Sequence, residues 1–390
     1  MTRDIGPLCD DERDAAADLL GYSFPDQPEF AARARSAPLD RAFAVRLGGD
    51  LASVVLWRDT VVTHHGVSLP ICIAGPGATH PGHRKRGGLA GAQEAFLAVM
   101  RDAGCVVSGL ETPITRWHRR NGWGIASAVR HYNGPPHAFR LLGSGQVCGF
   151  PDFDPDQRTT EAVRQLVLSR RFGALHAPPD PAAAVCDLRN DTVIWRENRR
   201  ATGLLRYVHR RRDDGGVGIV VHELHAISPD AYSGLLGLLA EHNNVHDVTW
   251  NAPTDDPLQQ IVVEPRHIEP IVCSDKMLRV VNLASLVLPR LDAIEPGGIT
   301  LMLHDPQAPW NTGRWEIVAD SDVYRFSRLP TARTTTDLHV EVDLLGPIIS
   351  GYLSATSAAT TGCLRGGPAA VSMLDRIRSL WRPPYCPDTW

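Results

Sequence analysis

The sequence predicts an α+β protein of three domains, and three observations carry that prediction. The chain has 390 residues, 43% of them hydrophobic and 22% charged, enough to fill two or three cores. A strand, a basic glycine loop, a helix and a strand follow one another between residues 67 and 110, and a weaker echo lies between residues 217 and 250. After about Lys276 the texture changes to a third set of strands and helices. The domains expected are residues 1–150, 151–285 and 286–390.

The elements follow in order. Residues 10–20 have helical spacing, and residues 25–35 form a second helix after the Phe24-Pro25 break. Alternation over 41–47 and 51–57 around Gly48-Gly49 reads as a hairpin, and 67–74 as a third strand. Residues 75–88 are a loop rich in Gly, Pro and basic residues. Leu89, Ala92, Phe96, Val99 and Met100 then recur mostly at intervals of three and four, one stripe of an amphipathic helix over 89–103 that Gly104 stops. Residues 106–110 return as a strand.

Gly and Pro clusters over 143–179, around one helix at 161–172, mark a boundary. Strands at 193–195 and 203–208, the Gly215-Gly216 turn, a strand at 217–225, a helix at 229–242 and a strand at 248–250 make the second domain. Its junction Ile227-Ser228-Pro229-Asp230 lacks a basic glycine loop and is poorly suited to cradle a pyrophosphate. In the third domain the stretch 278–288, a turn at Pro296-Gly297-Gly298, strands at 299–303 and 315–319 and helices near 344–354 and 369–380 are expected. The last ten residues are too proline-rich for a helix and read as an extended tail.

A formal net charge of −4 gives no global attraction for nucleic acid or an anionic membrane, so a small-molecule substrate is expected. The eight cysteines are scattered without a C-x-x-C pair and read as reduced thiols. The N-terminus has acidic residues where a signal peptide has a basic start and an apolar run, and no segment is apolar for the length of a bilayer. A cytoplasmic location is the expectation. Of the paired histidines, His222-Glu223-Leu224-His225 is one residue short of H-E-x-x-H and falls in a strand, so no metal is expected.

His83-Arg84-Lys85-Arg86-Gly87-Gly88-Leu89 stands at a helix start. Glycines let a ligand approach the backbone, the first N–H groups of a helix are unpaired donors, and the dipole and basic side chains favour a phosphate there. Between a strand and an amphipathic helix this points to pyrophosphate binding.

These residues resemble the R-x-x-G-x loop of the GNAT superfamily of N-acetyltransferases, with Leu89 where Gly or Ala is usual. The longer run PGHRKRGGL, with Leu110-Glu111-Thr112 and Arg120-Asn121-Gly122-Trp123-Gly124, is similar to the enhanced intracellular survival (Eis) family. The resemblance implies two tandem GNAT-type domains, the second degenerate, a sterol-carrier-like third domain, and a homo-oligomer, in some members a hexamer. It implies acetyl-CoA as co-substrate, with Arg84, Lys85, Arg86, Gly87, Gly88 and Leu89 on the pyrophosphate and the backbone of Gly77, Ala78 and Thr79 along the pantetheine arm.

Direct transfer to an amine needs a base and an acid. In the Eis family the acid is a tyrosine before the glycine-aromatic-glycine turn, and the base is the chain's terminal carboxylate. Here those positions are His118 and Trp390. Histidine, with an ordinary pKa of about 6.5, is a different acid from tyrosine at about 10. Burial would raise the carboxyl of Trp390 towards use as a base. Arg116, Trp117 and Arg120 flank His118 as candidate substrate contacts, and their charge suits an acceptor bearing a carboxylate or phosphate. Asp26 and Asp388 are candidate acidic contacts. The alternatives are a CoA-independent reaction on the same scaffold, or a non-catalytic ligand-binding protein.

Overall fold

The computed structural model describes residues 2–86, 88–143, 148–175, 189–274, 276–292, 294–295, 297–330, 336–388 and 390. Three sheets organise it. The first runs Arg3–Pro7, Ala42–Leu47, Asp50–His64, Val67–Thr79, Val107–Leu110, Met277–Val280, Gly124–Ile125, with Phe172–Leu175 beside Asp50–His64. The second runs Ile271–Ser274, Ala128–Gly134, Val248–Pro253, Val217–Ala226, Arg200–Arg211, Arg189–Glu197, Phe150–Asp152, and the third runs Val287–Pro289, Val323–Arg328, Gly313–Asp320, Thr300–His304, Leu338–Glu341, Leu364–Gly366.

The sheets do not respect divisions at 150 and 285. Ala128–Gly134 pairs with Val248–Pro253 in the second sheet, while Phe172–Leu175 and Met277–Val280 lie in the first. The reason is physical: apolar alternation records that a strand has a buried face, and is silent on which strand its backbone will bond. The helix expected at 161–172 is Gln157–Leu168, started by Asp156, whose carboxylate accepts from Thr159 N at 2.8 Å. The helix expected at 89–103 begins later, at Gln93, after a 3-10 turn at Ala90–Ala92.

Each face of the first sheet is covered. Phe43, Val45, Val55 and Trp57 face Phe96, Leu97 and Met100 of the helix Gln93–Asp102. The alternate residues Ala42, Ala44, Val54 and Leu56 face helices Arg13–Ser23 and Pro28–Ser36. Further along that second face, Ile71, Ile73, Val107, Leu278 and Val280 share one core with Leu301, Trp315 and Ile348 of the third domain. Each such side chain taken from water contributes about 1.5–3 kcal/mol, so the first and third domains are joined by a core and not by a linker. The second domain has its own core around Tyr132, Leu235 and Trp250.

Inside this junction sits one charged pair. Arg279, on the strand Met277–Val280, is fully buried and donates to Asp305 Oδ1 at 2.7 Å and to the carbonyl of Asn121 at 2.8 Å, with Trp123 beneath it. Gly122, at φ +86°, leaves the space it needs, because a Cβ there would lie 1.5 Å from Arg279 Nη1. No helix among the described residues is long and apolar enough to cross a membrane, and no disulfide joins the described cysteines.

Removing one partner of a buried pair strands the other charge in the core. Arg279→Met is expected to cost about 3–5 kcal/mol, read as a lowered unfolding midpoint in urea, and Arg279→Met/Asp305→Leu to recover part of it. A wild-type midpoint for the single variant would contradict this reading.

Candidate active site

The site is built where two parallel strands separate. Val67–Thr79 bonds Val107–Leu110 only at Ile71↔Val107, Cys72↔Ser108 and Ile73↔Gly109. Beyond Ile73 it stays paired on its other side, Val55↔Gly77, Val54↔Ala78 and Ser53↔Thr79. One backbone edge of Gly77, Ala78 and Thr79 is therefore left open towards the notch, a ladder on which an extended amide chain can bond. Gly77 is exposed, Ala78 is buried under the N-terminal helices, and Thr79 Oγ1 lies 2.9 Å from Ser53 Oγ.

The open edge leads into the basic loop. Arg84, Lys85 and Arg86 are exposed, Gly88 is buried and Leu89 half-buried; Gly87 lies outside the described residues. Arg84 Nε bonds the carbonyl of Thr79 at 3.2 Å, and Lys85 takes a left-handed φ of +62°. Sequence reading missed Arg3: it reaches from the first strand to the turn Ala90–Ala92 that follows the loop, so that a Cβ on Gly91 would fall 2.0 Å from its Nη1. Arg84, Lys85 and Arg86 thus stand exposed on the loop, and the guanidinium of Arg3 lies over Gly91 in the turn before the helix Gln93–Asp102. That arrangement suits a polyphosphate.

His118 lies on the short helix Thr115–Arg120, its ring 4.8 Å from that of Trp117 and 6.0 Å from that of Trp123. Its Nδ1 and the Nε1 of Trp123 are buried and have no hydrogen-bond partner among the described residues. Burial lowers the His118 pKa to about 4, so the ring is neutral at pH 7. Arg116 and Arg120 are exposed and Trp117 half-buried, while Arg119 reaches Asp343 at 3.4 Å. Asp26 lies exposed in the turn between the two N-terminal helices, on the opposite face of the sheet from Trp123.

The tail is docked. Arg171 Nη1 donates to the carbonyl of Pro383 at 3.0 Å, and Tyr385 bonds through its N–H to the carbonyl of Phe172 and through its hydroxyl to that of Asn251, both at 2.9 Å. Asp388 is buried, receiving Arg164 Nη2 at 2.5 Å and Leu175 N at 3.1 Å, which removes it from the candidate substrate contacts. Trp390 comes to rest on Gly109, where a Cβ would lie 2.3 Å from its ring. Its indole N–H meets Cys386 Sγ at 2.9 Å and its backbone N–H donates to Glu111 Oε1 at 2.9 Å; Lys276 pairs with that same oxygen.

Trp390 and His118 stand on opposite sides of the sheet. Gly109 points with Ile71 towards the third domain, whereas Trp123, against which His118 packs, points towards the helix Gln93–Asp102. Glu111 and Lys276 were legible only as part of a motif and as a domain marker; nothing in their spacing announces that they meet. Among the described residues no group of three or more His, Cys, Asp or Glu side chains is placed to hold a metal ion.

Two acetyltransferase (GNAT) domain models match residues 4–126 and 178–280, and a sterol carrier protein domain model matches 287–387. The fold is similar over the full length of both chains to a GCN5-related N-acetyltransferase from Anabaena variabilis (TM-score 0.84, 15% identity) and to Eis1 from Mycobacterium abscessus (0.79, 20%). It is likewise similar over both full lengths to a probable N-acyltransferase from Enterococcus faecalis (0.83, 18%). No curated protein sequence matches the chain. With the two acetyltransferase matches together spanning more than half of its length, the chain belongs to the GNAT acetyltransferases, in the Eis-like order of two such domains followed by a sterol carrier protein domain.

Proposed function

We propose that the protein transfers the acetyl group of acetyl-CoA to the amine of a small molecule, in the notch between Val67–Thr79 and Val107–Leu110. The observation that carries this reading is the docking of Trp390 against Gly109, at the end of an open strand edge that leads from a basic loop. Arg84, Lys85 and Arg86, joined by Arg3, would hold the pyrophosphate, and the edge of Gly77, Ala78 and Thr79 would bond the pantetheine amides. The thioester is then delivered to the level of Gly109, between Trp390 on one face and His118 on the other.

The roles follow from the chemistry of each group. The amine must lose a proton to attack, and the carboxylate of Trp390 accepts it. The departing sulfur carries negative charge, and His118 meets it as a neutral ring, whose one N–H offers a hydrogen bond in place of a proton from an imidazolium. The exposed Arg116 and Arg120 favour an acceptor that carries a carboxylate or phosphate besides its amine.

Three outcomes test the proposal. In calorimetry, acetyl-CoA binds the intact protein, and Arg84→Ala/Arg86→Ala weakens binding roughly ten- to a hundredfold, as loss of charge-assisted bonds requires. Absence of binding by the intact protein would sink the reading and favour a CoA-independent reaction. Deletion of Trp390 lowers kcat about a hundredfold or more while leaving acetyl-CoA affinity unchanged; full turnover by the truncated chain would remove the carboxylate from the mechanism.

The third concerns pH. Because the folded pKa of His118 is depressed, its contribution to stability is present above the ordinary histidine value of about 6.5 and is lost as pH falls towards 4. His118→Gln should therefore flatten the decline of the thermal midpoint between pH 6.5 and 4.5. An unchanged slope would show that the ring is not held neutral.

A further inference from the structure

The anchors of the tail stop short of its last residue. Arg164 and Leu175 fix Asp388, but the backbone of Trp390 is held by one group only among the described contacts, the carboxylate of Glu111 at 2.9 Å. Chain ends fray unless they are tied down, and a reacting group displaced by about 1 Å loses on the order of a hundredfold in rate. The geometry points to Glu111 and Lys276 as a pair of positioning residues that lock Trp390 into the notch, an inference that rests on the proposed role of Trp390.

Each part of the pair has a reason to be where it is. Glu111 directly follows the strand Val107–Leu110, so its backbone is fixed by the sheet at the point where the two parallel strands have parted. Lys276 directly precedes Met277–Val280, the neighbouring strand of that sheet; its N–H donates to Ser127 Oγ at 3.1 Å and its carbonyl accepts from Ala126 N at 2.9 Å. Its side chain is only 7% exposed, and an ammonium so buried requires a counter-charge, which Glu111 supplies.

The lysine in turn permits the contact with the tail. A lone carboxylate at Glu111 would repel a second carboxylate one residue-length away, at Trp390; pairing with Lys276 cancels that charge and leaves Glu111 Oε1 to accept the Trp390 N–H. With the N–H held by Glu111, the indole N–H by Cys386 Sγ and the ring seated on Gly109, both the backbone and the side chain of the residue are tied, which restricts the space its carboxyl can sweep.

The test is hydrogen exchange of the C-terminal segment in the full-length protein, followed by mass spectrometry, with turnover measured on the same samples. Glu111→Ala and Lys276→Met are each expected to raise the exchange rate of the Trp390 amide roughly tenfold or more, while exchange at Tyr385 stays at its wild-type rate. Glu111→Gln, whose amide oxygen still accepts the N–H but which leaves Lys276 without its counter-charge, restores part of the protection lost in Glu111→Ala, a rescue that a merely structural role would not show. If Glu111→Ala fails to fold, the comparison of Glu111→Gln with Lys276→Met carries the test. Wild-type protection at Trp390 in Glu111→Ala and Lys276→Met, or a loss spread evenly over the whole tail, overturns the inference. Full turnover after deletion of Trp390, with the amide protected in the intact protein, would instead remove the base role and leave the clamp standing.

Discussion

Arg279 is the residue on which the rest of the arrangement depends. It occupies the strand Met277–Val280, which lies between Val107–Leu110 and Gly124–Ile125, and from there it reaches the carbonyl of Asn121 and the carboxylate of Asp305. Asp305 also accepts from the N–H of Ala308 and the amide of Asn311, so its carboxylate is bonded on both oxygens. Buried pairs of this kind add little net stability over an apolar alternative. What this one fixes is register: the glycine turn, the helix that carries His118 and the third domain all refer to the same guanidinium.

The two sides of the notch then differ in electrostatic character. On one side, orphaned ring nitrogens and a neutral imidazole stand in an apolar wall. On the other, the carboxylates of Asp388 and Glu111 are paired with a guanidinium and an ammonium around the tail. Acyl transfer asks for such a division, because charge is lost from the attacking amine on one side while it accumulates on sulfur on the other. Neighbouring arginines on the helix Thr115–Arg120 leave solvent access to the second of these positions strongly cationic.

The sequence disclosed what is local. The helix stripe through Phe96 and Met100, the basic loop and the proline-rich tail were all legible, since each depends on residues near in sequence. The resemblance supplied Trp390 and the position of His118. Pairing was legible across the Gly48-Gly49 hairpin and illegible between distant strands: Ala128–Gly134 and Met277–Val280 carry the right alternation for any sheet, and only the three-dimensional neighbours decide which. Glu111 with Lys276, Arg3 with Gly91 and Arg164 with Asp388 were illegible for the same reason, each pair being long-range and composed of common surface residue types. His118 was identified by position, but its neutrality comes from burial beside Trp117 and Trp123, which no motif spells out.

The exchange of strands between the first two sheets has a consequence for how such a chain can change. A gene cut at residue 150 would leave the first sheet without Met277–Val280 and the second without Ala128–Gly134, so neither fragment would be a complete module. Recombination that shuffles these domains as interchangeable units is therefore closed to this architecture. Its variation must instead accumulate in loops and side chains around a backbone inherited whole.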